Sequence, residues 1–99
     1  MYKKDKFYKK ELGVYRKEID KIDNNNIRLL DEREKLVKYI RKIKEKYNID
    51  IYQAEREKEI IERMKSKFKV LKDTNIESIW KEIIKNCKLL QALEVSDKN

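Results

Sequence analysis

"NIRLLDEREKLVKYIRKIK", residues 26–44, decides the fold. Ile27, Leu30, Leu36, Val37, Ile40 and Ile43 recur near helical spacing, which predicts one amphipathic helix. Two cations interrupt the pattern. At about 100° per residue, Arg33 lands near the middle of the apolar stripe, between Leu29/Leu30 and Leu36/Val37. Lys44 lands there too, one turn past Ile40. A charge on an apolar face is costly unless it is paired or solvated.

Working outward, the stripe continues toward the N-terminus through Leu12, Tyr15, Ile19, Ile22 and Leu29. One helix is therefore expected from about Lys10 to Lys46, a rod of roughly 55 Å. Asn is a poor helix former, so "DNNN" at 23–26 is the weak point, but the stripe keeps its phase across it. A break is expected at "YNIDI", residues 47–51, with Asp50 capping a second helix from about Tyr52 to Leu71. That helix would carry Ala54, Ile61, Met64, Phe68 and Leu71 on its apolar face. "TNIE", residues 74–77, reads as a capping box in which Thr74 covers an open N–H and Glu77 reaches back. A third helix then presents Ile76, Ile79, Trp80, Ile83, Ile84, Cys87 and Leu90. The fold class is all-α, one long and two shorter helices per chain. The basic residues 1–10 form an N-terminal extension or the first turns of the rod, and residues 11–95 form the helical domain.

Composition supports this architecture. Of 99 residues, 46% are charged and 39% apolar, with one Gly and no Pro, which excludes most turn-rich β folds. A rod this long exceeds what a lone 99-residue globule can cover, so a second copy is expected to complete its core. No apolar run approaches a membrane span and "MYKKDKFYKK" has no signal-peptide core, so the chain is expected to be cytoplasmic. One Cys and no His rule out an intrachain disulfide, make a metal site improbable and remove His-based nucleophile pairs. No cofactor motif is present. An enzyme of this composition would work by placing fixed charges and hydrogen-bond donors around its substrate. The net charge of +8 points to an anionic substrate or partner.

Polar residues interrupt the other two stripes as well. Glu57 is central on the second, between Ala54 and Ile61, with Arg56 beside it; on the third, Cys87 is central and Gln91 sits one turn on. Arg16 lies near the edge of the first stripe. Taken singly, Arg33 or Lys44 could bridge to Glu57 or extend its charge to the rim. A set spread over three helices is better explained by a shared polar cavity suited to a dicarboxylate with a hydroxyl group.

"YRKEIDKIDNNNIRLLDEREKLVKYIRKIK", "EREKEIIERM" and "IIKNCKLLQ" together resemble the all-helical chorismate mutases. The family pattern is an R-x-x-I-D-x-I-D segment, L-L-x-E-R, a Lys eleven residues on, an R-E pair and a Ser-x-x-x-Gln. Here these positions are Arg16, Arg33, Lys44, Arg56–Glu57 and Cys87-x-x-x-Gln91. The resemblance covers Tyr15 to Gln91 and implies an intertwined homodimer that rearranges chorismate to prephenate in phenylalanine and tyrosine biosynthesis. It implies that Arg16 reaches one substrate carboxylate from the partner chain and that Arg33 holds a carboxylate in cis. Lys44 and Gln91 would donate to the ether oxygen, and Glu57 would bind the ring hydroxyl with Arg56 organising that end. Two positions depart from the pattern: Gln53 stands where the second helix commonly has Asp, and Cys87 stands for the Ser. Both put turnover, more than reaction type, in question.

An isochorismate pyruvate lyase of the same fold is the alternative within enzymes. A basic helical dimer on nucleic acid is another, but the anomalous cations point into the stripes and the outer faces mix Glu with Lys. Neither nucleic acid nor a membrane is expected as a partner. A structural adaptor would explain the rod but not the coincidence of polar positions. If Cys87 faces a substrate carboxylate, Cys87→Ser should retain or raise activity through a better donor. If Cys87 is instead a packed core residue, the buried hydroxyl should cost about 1–3 kcal/mol of stability in a urea titration.

Overall fold

In the computed structural model, the backbone of residues 2–98 and the side chains of residues 7–93 are described. Helix α1 runs Tyr2–Lys46, α2 Ala54–Met64 and α3 Asp73–Lys98, with no strand among the described residues. The chain is all-helical. Helix α1 continues without interruption through Asn24, Asn25 and Asn26, because an amphipathic period held in phase outweighs a few unfavourable local propensities. It also begins eight residues before the expected Lys10.

The end of α1 is set by backbone chemistry at Asn48. Its φ of 54° is left-handed, a region that Asn tolerates better than most residues. The Ile49 N–H then reaches back to the Lys44 carbonyl at 2.8 Å, and the Asn48 N–H to the Glu45 carbonyl at 3.2 Å. These two bonds make a Schellman closure, which satisfies carbonyls that the helix end leaves open. Lys44 and Lys46 in the last turn also oppose the negative end of the helix dipole.

Two local expectations need correction. Asp50 does not cap α2; Gln53 does, through extended backbone at φ −128° and ψ 102° and with no side-chain capping bond. The helix also stops at Met64, well before Leu71. Lys65 leaves helical geometry and Ser66 turns left-handed at φ 64°. The Asp73 carboxylate takes the Ser66 N–H at 2.9 Å and its hydroxyl at 3.5 Å, fastening the end of α2 to the start of α3. The capping box is displaced as well. Asn75 reaches back to the Lys72 N–H at 3.0 Å, while Thr74 and Glu77 lie inside the helix.

The chain forms two compact units, one reaching Leu36 and one starting at Val37. The first is a stretch of α1 only, and Tyr15, Ile19 and Ile22 are 71%, 53% and 57% exposed. In the second, α2 packs on α3. Ile60 and Ile61 of α2 and Ile76 and Ile84 of α3 are the buried apolar side chains among the described residues. Burial of such a side chain contributes roughly 1.5–3 kcal/mol. Arg41 is buried too, at 4% exposure, with its Nε 3.6 Å from Glu45.

If the left-handed turn at Asn48 ends α1, Asn48→Ala should cost about 1 kcal/mol in urea unfolding while Asn48→Gly costs little or nothing. Equal losses in the two variants would place the importance of Asn48 in its side chain.

Candidate active site

The closure that ends α1 also places Lys44. Its own carbonyl is held by Ile49, and its ammonium folds over the turn to donate to the Ile51 carbonyl at 2.9 Å. The side chain is half-buried. The cation that looked misplaced on the stripe thus has a main-chain partner at each end of its residue, the Ile49 N–H as donor and the Ile51 carbonyl as acceptor, and among the described contacts it makes no bridge to Glu57.

Glu57 has other partners. It lies in the first turn of α2, where carboxylates favour the positive end of the helix dipole. The Lys88 ammonium on α3 sits 2.8 Å from Glu57 Oε1, and the Tyr52 hydroxyl donates to Oε2 at 3.4 Å. Lys88 also stands over the Tyr52 ring, 3.8 Å from its centroid. The hydrogen bond to Glu57 is the main reason the Lys88 pKa lies above the ordinary 10.5, with partial burial opposing it. Arg56 turns away along its own helix and donates to Glu59 at 2.6 Å. Gln53 is exposed at the helix entrance.

On α3, Cys87 and Gln91 are both half-buried and four residues apart, so they share a face. Arg16 and Arg33 belong to the first unit, where Arg16 is exposed and Arg33 half-buried. Within the second unit, Glu57 and Lys88 also line an open groove of about 360 Å³ between α2 and α3. There Lys65 bridges Glu62 at 3.1 Å and Glu77 at 3.4 Å, and Lys81 pairs with Glu77 at 2.7 Å. These bonds raise Lys65, chiefly through Glu62, and lower Glu77, chiefly through Lys81. Among the described residues, no group of three or more Cys, Asp or Glu is placed to hold a metal, and no helix is long and apolar enough to cross a membrane.

Sequence reasoning missed Lys88, Tyr52 and Arg41. Lys88 follows Cys87 directly, but nothing in the period of α3 reveals which residue of α2 it meets. Tyr52 was read as the start of a helix when it belongs to the turn before one.

Residues 15–92 match the family Chorismate mutase type II, and the chain belongs to that family. It is 43% identical over 86 residues to a bifunctional chorismate mutase/prephenate dehydratase of Aquifex aeolicus, covering 82% of this chain and 24% of that protein. It is 36% identical over 86 residues to a chorismate mutase of Methanocaldococcus jannaschii, covering 82% of this chain and 84% of that one. No solved structure matches the chain significantly.

The Lys65–Glu77 bridge should show a two-sided pH signature. The raised Lys65 pKa contributes stability that is present below the ordinary 10.5 and is lost as pH rises through the raised value. The lowered Glu77 pKa contributes stability that is present above the ordinary 4.5 and is lost as pH falls through the lowered value. Lys65→Met should therefore be less stable than the parent at neutral pH. The difference between their urea midpoints should close at both the acid and alkaline extremes.

Proposed function

We propose that the chain is a chorismate mutase, converting chorismate to prephenate on the route to phenylalanine and tyrosine. One observation carries this reading. The family match over residues 15–92 contains the polar residues singled out along the three apolar stripes: Arg16, Arg33, Lys44, Glu57, Cys87 and Gln91. The relation to the Methanocaldococcus jannaschii chorismate mutase supports it along most of that protein's length.

The rearrangement breaks an ether C–O bond while a C–C bond forms, with no proton transfer and no covalent intermediate. The absence of histidine is compatible with such chemistry. Arg33 holds one substrate carboxylate and Arg16 the other, fixing the extended dianion in its compact reactive shape. Lys44 and Gln91 donate to the ether oxygen as negative charge develops there, an interaction stronger in the transition state than in the ground state. Glu57 accepts the ring hydroxyl, and Arg56 and Gln53 border that end. Cys87 lies near a carboxylate as a weak donor. No cofactor takes part.

The working unit is an intertwined homodimer, with Arg16 supplied by the partner chain. The support is the apolar surface of α1: Tyr15, Ile19 and Ile22 stay more than half exposed in a single chain. Burying that surface against a second copy stabilises both.

Chorismate loss with product identification tests the activity; release of pyruvate from isochorismate in place of prephenate formation would reassign it to a lyase. Arg16→Ala and Arg33→Ala homodimers should each be nearly inactive. Refolded together, they should recover activity, because the heterodimer has one intact site and one doubly defective site. A mixture no better than its parents would remove the trans arrangement, and an unfolding midpoint independent of protein concentration would remove the obligate dimer.

A further inference from the structure

We infer that Lys88 and Tyr52 are positioning residues that clamp Glu57, holding its carboxylate in one orientation toward the substrate hydroxyl. The inference rests on the proposed role of Glu57 and adds two residues to it. Three elements meet at this carboxylate: the turn before α2 supplies Tyr52, α2 supplies Glu57 and α3 supplies Lys88. Each carboxylate oxygen has a separate donor, Lys88 on Oε1 at 2.8 Å and Tyr52 on Oε2 at 3.4 Å. The clamp is closed by Lys88 over the Tyr52 ring at 3.8 Å, so neither donor moves without disturbing the other.

An ionised carboxylate offers about four lone-pair sites, so two internal donors leave room for a hydroxyl. Without them a glutamate side chain has three torsions to fix when the ligand arrives, and ligand binding must supply that ordering. Lys88 has a second consequence. It offsets the negative charge of Glu57, so a dianionic substrate meets less repulsion at the end where it needs only a hydrogen-bond acceptor. Glu62, Lys81 and Lys85 line the same groove.

The hydroxyl carries little of the charge that develops in the transition state, so the clamp should act mainly through KM. Lys88→Met is expected to raise KM for chorismate about tenfold and to change kcat by less than about threefold. Lys88→Arg should recover most of the loss, and Tyr52→Phe should show a smaller rise of the same kind. Glu57→Gln should raise KM by itself, and adding Lys88→Met to it should cause little further change, because Lys88 acts through Glu57. An equal KM rise from Lys88→Met in both backgrounds would mean that Lys88 attracts the dianion directly, and would overturn the clamp. So would a normal KM in Lys88→Met when Glu57→Gln is impaired. A normal KM in Glu57→Gln would overturn the reading of Glu57 itself, and the clamp with it. Lys88 is about half exposed, so thermal melts of the variants should stay close to the parent, and a collapse in stability that tracks the KM change would assign Lys88 a structural role instead.

Discussion

Tyr15, Ile19 and Ile22 leave more than half of their surface in water, and the proposed assembly depends on that constraint. A chain with 46% charged residues has little apolar material to spend on a second layer. Among the described residues, the buried apolar side chains are four isoleucines of α2 and α3. Hydrophobic burial is the main favourable term in folding, so an apolar stripe this long calls for a cover of matching length. Under the proposed assembly a second copy of the same rod supplies one and also brings Arg16 to the neighbouring site. Folding and site completion then become one event.

Fixed charges inside such an assembly are useful only if they are held. The proposed reaction needs no titrating base, so the protein's task is to keep donors and cations oriented before the substrate arrives. Under the proposed roles, two arrangements in the described part of the chain serve that task. Asn48 ends α1 in a way that leaves the Ile51 carbonyl to receive the Lys44 ammonium. Lys88 and Tyr52 take the two oxygens of Glu57. Both devices use the turn between α1 and α2, which therefore does more than connect two helices.

The helices themselves were legible in the sequence because periodicity is a local property. The stripe from Leu12 to Ile43 implied a continuous helix through three asparagines, and the helix is continuous. The ends were harder to read. Phe68 and Leu71 extend the period of α2 in sequence, yet the helix has already stopped at Met64, and both side chains lie exposed in the turn. What stops it is a contact seven residues away, Asp73 on Ser66, and periodicity carries no information about such contacts. The same limit hid Lys88. The residues of the site that interrupt a stripe stood out one helix at a time, whereas Lys88 gains its meaning from the pairing of α3 with α2. Arg41 was overlooked because it lies off the centre of the α1 stripe, and its burial comes from its surroundings in the folded unit.

Of the two departures from the family pattern, Cys87 bears on a carboxylate end of the proposed site and Gln53 on the hydroxyl end. Gln53 replaces a carboxylate commonly found there, so Glu57 is the anionic acceptor that remains among the matched positions. A single acceptor has to be well placed, since no second carboxylate can take the hydroxyl if the first rotates away. Under the proposed roles, the missing negative charge also lowers the repulsion felt by a dianion, and Lys88 lowers it further at Glu57. The cost is a loss of redundancy. The inferred clamp would offset that loss, because Lys88 and Tyr52 each hold one oxygen of the carboxylate that remains.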